Sequence, residues 1–192
     1  MSPNGDTHPS SQNGIVRVGI VSDTHGLLRT ELEEAFSGVD VILHAGDVGS
    51  LAVLDQLAYI APVHAVMGNV DGVVTDLDLP VYVRFARAGV QMLVTHYIGE
   101  PDGLLAPVAE ELIRGAAHIV ISGHTHRAAL TVRNGRLYAN PGSAGARRYG
   151  LPASCALLTL SPQGSGTRVE AQVLNLDEGG VLSEEALTIG KN

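Results

Sequence analysis

The chain has 192 residues, a length that suits one domain or one domain with a small appendage. Hydrophobic residues make up 45% and charged residues 17%, enough apolar material to exclude disorder throughout, and the single cysteine, Cys155, excludes an internal disulfide framework or a Cys-based zinc site. Twenty acidic against 12 basic residues leave a net charge of −8, which opposes non-specific binding to nucleic-acid phosphates. No apolar run reaches the roughly 18 residues of a membrane span. The first residues, MSPNGDTHPSSQNG, lack the basic and apolar regions of a signal peptide, so a cytoplasmic protein is expected.

Residues 1–14 are polar and read as a disordered tail. A β-branched run, Ile15 to Ser22, then predicts a buried strand that stops at Asp23. Thr30-Glu31-Leu32-Glu33 has the form of a capping box and opens a helix with Leu28, Leu32, Ala35 and Phe36 on one face. Val39 to Ala45, Ser50 to Tyr59 and Val63 to Met67 continue as strand, helix and strand, an alternation that predicts a parallel sheet with right-handed crossovers. Beyond Gly72 the pattern changes. Val81–Ala86 and Val90–Thr95 form a predicted hairpin, a helix spans Pro107 to Arg114, and Ile119–Ser122 is a further buried strand. Ala129–Val132 and Arg136–Ala139 flank Asn134-Gly135, a strong hairpin signal. Cys155–Leu160 and Arg168–Leu176 read as two antiparallel strands, giving one domain over residues 15–176, with 177–192 expected to be loosely ordered.

The polar residues fall at the strand ends. The predicted strands terminate in Asp23-Thr24-His25, Gly46-Asp47, Gly68-Asn69, His96 and Gly123-His124-Thr125-His126. Carboxyl ends of parallel strands converge on one crevice, so seven N and O donors from five strands are expected to meet there. Seven mixed donors exceed the needs of one tetrahedral zinc and suit two borderline divalent ions. The i, i+2 spacing of Asp23/His25 and of His124/His126 aims both members of each pair one way if the backbone is extended. Glycine before Asp47, Asn69 and His124 permits a sharp turn or a close approach. Two divalent cations against two carboxylates would leave a centre of about +2, an anion trap suited to phosphate. A metal pair clamps the attacking and leaving oxygens of an in-line displacement and acidifies bound water.

The ordered set Ser-Asp-Thr-His (22–25), His-Ala-Gly-Asp (44–47), Gly-Asn-Val-Asp (68–71), Thr-His (95–96), Gly-His-Thr-His (123–126) and Asn-Pro-Gly-Ser (140–143) resembles the calcineurin-like metallophosphoesterases. Within them it is similar to the small phosphodiesterase branch that includes the Vps29-type retromer subunit. The resemblance covers Val18 to Ser143 and implies an α/β fold, a four-layer α/β/β/α sandwich with two mixed β-sheets. It implies one metal on Asp23, His25, Asp47 and His126 and a second on Asp47, Asn69, His96 and His124, with Asp47 bridging. Asp47, Asn69 and His96 are assigned to catalysis as well. The implied activity is a phosphodiesterase acting on a small phosphoester through a metal-bridging hydroxide. Manganese is the leading expectation, with iron, nickel, cobalt or zinc acceptable to the same donors. No membrane partner is expected, and nucleic acid only as a small nucleotide substrate. A protein-interaction scaffold of the Vps29 type and a phosphomonoesterase or nucleotide pyrophosphatase are the alternatives.

One position departs from many family members: Val70 follows Asn69 where a histidine often stands, and it can donate no proton. That predicts hydrolysis favouring acidic leaving groups, since general acid catalysis contributes about 10²–10⁴-fold. Asp71 is either a solvated turn residue or a substitute acid. His44 is either a packed strand residue or a partner to the ligands. His64, His118 and Cys155 are expected to be structural. Asn140 to Ser143 form a turn or orient a ligand; Arg147 and Arg148 are a solvated pair or phosphate contacts. Tyr97 either lines the pocket or packs amphipathically.

Overall fold

The computed structural model describes residues 14–74, 77–100, 103–104, 106–114 and 117–190. The expected N-terminal tail therefore lies, but for Gly14, outside the described residues. In chain order the elements are β1 (Val16–Val21), α1 (Glu31–Ala35), β2 (Val41–His44), α2 (Leu51–Ala58), β3 (Val63–Ala65), α3 (Asp71–Val74), β4 (Tyr82–Arg87), β5 (Val90–Thr95), β6 (Gly99–Glu100) and β7 (Gly103–Leu104). They continue with α4 (Ala106–Ile113), β8 (Ile119–Ile121), β9 (Ala129–Arg133), β10 (Arg136–Asn140), β11 (Ser154–Gln163), β12 (Gly166–Asn175) and β13 (Val181–Gly190).

Two mixed sheets carry the fold. The first has the order β13-β12-β11-β1-β2-β3, with β1, β2 and β3 parallel and the remaining pairs antiparallel. The second runs β4-β5-β8-β10-β9, with β5, β8 and β10 parallel and an antiparallel strand at each edge. Strand alternation sorts the side chains into layers. Val18, Ile20, Val41 and Leu43 face Met92, Val94, Ile119, Ile121 and Leu137 between the sheets. The opposite face of the first sheet receives Leu32, Phe36, Val53 and Leu57 from the α1 and α2 region; Val108 of α4 packs against Leu93 and Val120 of the second sheet. The result is the four-layer α/β/β/α arrangement. Gly19 permits it locally, because a Cβ there would lie 3.0 Å from the Phe36 ring.

Both short hairpins form as their turn residues require. Ala88-Gly89 and Asn134-Gly135 all have positive φ, the geometry of a two-residue turn that matches strand twist. Thr30 does stand at the N-cap of α1, yet its side chain makes no capping hydrogen bond, and its hydroxyl turns to Glu31 at 3.4 Å instead. Cys155 is buried in the layer under α1 and α2, where desolvation pushes its thiol up to about 12.

The segment after Asp177 departs from the expectation of loose order. Val181–Gly190 forms β13, a ten-residue edge strand paired antiparallel along the whole of β12. Its sequence hides this because most of its side chains are exposed; Ile189 (6% exposed) and Leu187 alone reach the inter-sheet core. An edge strand held by backbone bonding shows no apolar alternation. Ile189→Ala is expected to cost about 2–4 kcal/mol and to lower Tm by several degrees in a thermal melt. An unchanged Tm would mean that burial of Ile189 contributes nothing.

Candidate metal centre

The C-terminal ends of β1, β2, β5 and β8, with the segment after β3, deliver all seven anticipated donors to one place. Asp23 and Asp47 lie at its floor, 0% and 3% exposed, with His96 and His126 also buried and Asn69 and His124 at the rim. Convergence does not come from extended backbone as the i, i+2 spacing suggested. Asp23, His25, Asp47, His124 and His126 all have positive φ, between 49° and 69°. Each pair is carried by tight left-handed bends just past its strand. Such conformations cost of order 1–3 kcal/mol per residue and concentrate at functional sites.

Close approach explains the glycines. A Cβ on Gly68 would collide with the backbone nitrogen and Oδ1 of Asp47, and one on Gly123 with the Ser22 hydroxyl and Asp23. Gly46 adds a positive φ of 88°, and a Cβ there would sit 2.7 Å from His96 Nδ1.

Two foci emerge from the distances. At the first, His25 Nε2 and His126 Nε2 face each other at 3.3 Å, with Asp23 Oδ1 3.2 Å from His126 Nε2 and Asp47 Oδ2 3.8 Å from His25 Nε2. At the second, Asn69 Oδ1 lies 3.0 Å from His96 Nε2 and 3.1 Å from His124 Nδ1, with Asp47 Oδ2 3.5 Å from His96 Nε2. Asp47 Oδ2 thus stands between the two groups, while its Oδ1 accepts the Val70 N–H at 3.0 Å. The donor atoms of Asp23, His25 and His126 lie within 4.8 Å of one another, as do those of Asp23, Asp47 and His96. His96 Nδ1 donates to the Ala45 carbonyl at 2.8 Å, which turns Nε2 toward the centre.

The donor set fits divalent cations. Among the described residues the buried side-chain polar atoms without a hydrogen-bond partner are Asp23 Oδ1 and His126 Nδ1, both in this centre. Lone pairs of imidazole, amide oxygen and carboxylate aimed at common points repel unless a positive charge sits among them. Electrostatics agrees. Burial raises Asp23 from 3.8 to about 6 against the opposing Ser22 hydrogen bond. Burial also pushes Asp47 upward, but His96 and the Val70 N–H outweigh it and hold that carboxyl at about 2. Burial depresses His25 and His126; for His96 the same burial is overcome by its bond to Asp47, and its value rises.

A ring of side chains, mostly missed or left open in the sequence, fixes the donor loops. His44 accepts the Gly46 N–H through Nδ1 (3.2 Å) and donates from Nε2 to the Thr24 hydroxyl (2.9 Å), which in turn donates to Val48 O (2.9 Å). Burial holds this imidazole at about 4, hence neutral, as one donor and one acceptor require. Asp71 is neither solvated nor turned to the pocket: fully buried, it accepts N–H groups from Val48, Gly49 and Gly68 at 2.8–3.2 Å and ties two donor loops together. Asn140 Nδ2 donates to Gly123 O and Thr125 Oγ1, and the Ser143 hydroxyl to Asp23 O, so the Asn-Pro-Gly-Ser turn braces the loops. His64 stacks on Phe85 and His118 Nδ1 accepts the Gln91 N–H, both in structural roles. Arg147 pairs with Asp177 at 2.8 Å; Arg148 is exposed near the centre; Tyr97 and Tyr149 pack on His124 and His126.

Asp23 also links metal to stability. Its folded value lies above the unfolded one, so in metal-free protein its charge costs nothing well below pH 4, and the penalty grows through pH 4–6 and is complete above 6. Asp23→Asn is expected to stabilise EDTA-treated protein near neutral pH by up to about 3 kcal/mol, with the gain shrinking toward pH 4. The same change abolishes the rise in Tm on adding Mn²⁺. A variant less stable than the parent without metal at neutral pH would refute this account.

The calcineurin-like phosphoesterase superfamily domain matches residues 16–163. A probable metallophosphoesterase of Methanocaldococcus jannaschii is 32% identical over 174 residues, 86% of this chain and 84% of that protein. Another, from Methanothermobacter thermautotrophicus, is 34% identical over 134 residues, 66% of this chain and 76% of the other. Among solved structures, Vacuolar Protein Sorting 29 from Cryptosporidium parvum superposes with a TM-score of 0.71 at 22% identity, covering 92% of this chain and 99% of its own. The chain belongs to the calcineurin-like phosphoesterase superfamily.

Proposed function

We propose that the protein is a dinuclear-metal phosphodiesterase. The observation that carries this reading is the completeness of the donor set: seven side chains around two foci, with Asp47 Oδ2 between them. The first focus would be served by Asp23, His25, Asp47 and His126, the second by Asp47, Asn69, His96 and His124. When bound, two divalent ions would supply Lewis-acid polarisation of the phosphoryl oxygens and an acidified water as nucleophile. Manganese is the proposed metal; the imidazole, carboxylate and amide donors suit it and its first-row neighbours alike.

The chain's own residues shape the rest. His44, Asp71, Asn140 and Ser143 hold the donor loops against one another, so little reorganisation is needed when substrate arrives. Val70, half-buried beside Asn69, offers no proton to a departing oxygen, and the Asp71 carboxyl is committed to backbone N–H groups. The leaving group must therefore depart largely as its anion, which favours acidic aryl esters. A diester is the proposed substrate over a monoester. The likeness to Vacuolar Protein Sorting 29 supports a second reading, a metal-binding interaction scaffold of that type.

Turnover separates the readings. With added Mn²⁺ the protein is expected to hydrolyse bis-p-nitrophenyl phosphate faster than p-nitrophenyl phosphate, to lose this activity in EDTA, and to fall by at least about 10³-fold in Asp47→Asn. Tight Mn²⁺ binding with no turnover of any phosphoester would favour the scaffold, and faster monoester cleavage would favour a phosphomonoesterase. Across substituted aryl methyl phosphodiesters, kcat is expected to fall steadily as the leaving phenol becomes less acidic. A flat series would mean that some group does protonate the leaving oxygen.

A further inference from the structure

The loop between β10 and β11 places two side chains at the rim of the metal centre that the donor set does not use. Tyr149 has a positive φ of 57° and is 78% exposed, yet its ring meets His126 edge-on at 5.9 Å between centroids. A large ring held out in solvent by left-handed backbone, directly against a candidate ligand, is an unusual way to place a tyrosine. Arg148 beside it has no carboxylate partner among the described residues, whereas Arg147 is bound to Asp177. Arg148 is exposed and directly precedes Tyr149, on the same loop that meets His126. Across the centre, Tyr97 packs on His124 with centroids 4.8 Å apart.

The loop is anchored where a binding wall needs support. Gly145 N–H donates to Asp23 O at 3.2 Å, and Arg29 Nε donates to Gly145 O at 3.1 Å. Asp177, 8% exposed in its side chain, pairs with Arg29 at 3.2 Å and Arg147 at 2.8 Å and accepts the Ala153 N–H at 2.8 Å. The Leu151 N–H closes a turn onto Arg148 O at 3.1 Å. Arg29, Asp177 and Arg147 thus clamp both sides of the segment, and Arg148 and Tyr149 are the side chains left pointing outward from it.

We propose that Arg148 and Tyr149 form the substrate-recognition wall of the site and select phosphoesters that carry a planar ring, an aryl group or a nucleobase, next to the phosphorus. Arg148 neutralises a non-bridging phosphoryl oxygen. The Tyr149 ring stacks on the planar substituent. The inference rests on the proposed metallophosphoesterase reading, because the ring is recognised only once the phosphoryl group is seated at the two foci.

Binding of phosphonates, which carry a P–C bond the enzyme cannot hydrolyse, tests the wall without turnover. Mn²⁺ is first titrated calorimetrically into parent, Tyr149→Ala, Tyr149→Phe and Arg148→Gln, and then phenylphosphonate and methylphosphonate are titrated into each loaded protein. All four are expected to bind Mn²⁺ alike. The parent is expected to prefer phenylphosphonate by roughly five- to tenfold. Tyr149→Ala removes the preference and leaves methylphosphonate affinity unchanged, and Tyr149→Phe retains it. Arg148→Gln weakens both ligands by a similar factor, roughly tenfold. No preference in the parent, or a preference that survives Tyr149→Ala, overturns the inference while leaving the metal reading intact. Failure of the parent to bind Mn²⁺ overturns both, and selective phosphonate binding without turnover of any ester overturns the enzymatic reading alone.

Discussion

Two carboxylates buried side by side are the constraint around which this molecule is organised. Asp23 and Asp47 are almost wholly withdrawn from solvent, and neither has a lysine or arginine against it among the described ion pairs. Ionised carboxylates in such surroundings carry a penalty of several kcal/mol unless positive charge is supplied. Among the described residues their ion-pair partners are imidazoles, and burial works against a charge on these too, leaving His25 and His126 below the ordinary value. Only His96 is shifted the other way: its bond to Asp47 overcomes burial and raises it. Divalent cations, bound as the proposed function has them, would supply the missing positive charge.

Much else in the fold follows from bringing those groups together. The parallel strands β1, β2 and β3 in one sheet and β5, β8 and β10 in the other align their C-terminal ends, so donors from distant stretches of chain share one edge. The strands deliver the loops, but the bends beyond them aim the side chains. Left-handed backbone at five of the seven donors is strain that must be over-determined by its surroundings. The over-determination is visible: Asp71 grips the Asp47 and Asn69 loops through three N–H groups, His44 and Thr24 link the Asp47 loop to the Asp23 loop through a hydroxyl relay, and Asn140 and Ser143 fasten the histidine loop and the Asp23 loop from the other side.

The layers and the donors were legible in the sequence for a simple reason. Apolar runs such as VRVGIV and VILH are buried on both faces and stand out, and metal-ligand residue types at their ends stand out against them. What was not legible depends on geometry that residue types do not encode. Asp71 looks like any turn aspartate until Gly49 and Gly68 are placed beside it. The i, i+2 pairs suggested extended backbone because sequence spacing cannot distinguish a strand from two left-handed bends. β13 escaped because an edge strand bonded through its backbone needs few apolar side chains, and Glu184 and Glu185 in its middle read as tail.

The same fold can carry a catalyst or an assembly surface, and the balance between these readings turns on strain. An interaction scaffold needs its loops to be rigid, which ordinary turn conformations achieve at less cost. It has no use for a buried Asp23 oxygen left without a hydrogen-bond partner, for five donors in left-handed backbone, or for glycines at which a Cβ would strike a donor. Each of these is unfavourable taken alone, and together they form one arrangement that becomes favourable when divalent cations and an anionic ligand are bound. Destabilising features that are all relieved by the same event are best understood as preorganisation for that event. That argument favours the proposed catalytic reading over the scaffold, and it leaves the exposed Arg148–Tyr149 segment at the rim as the place where the proposed selection of ligand would act.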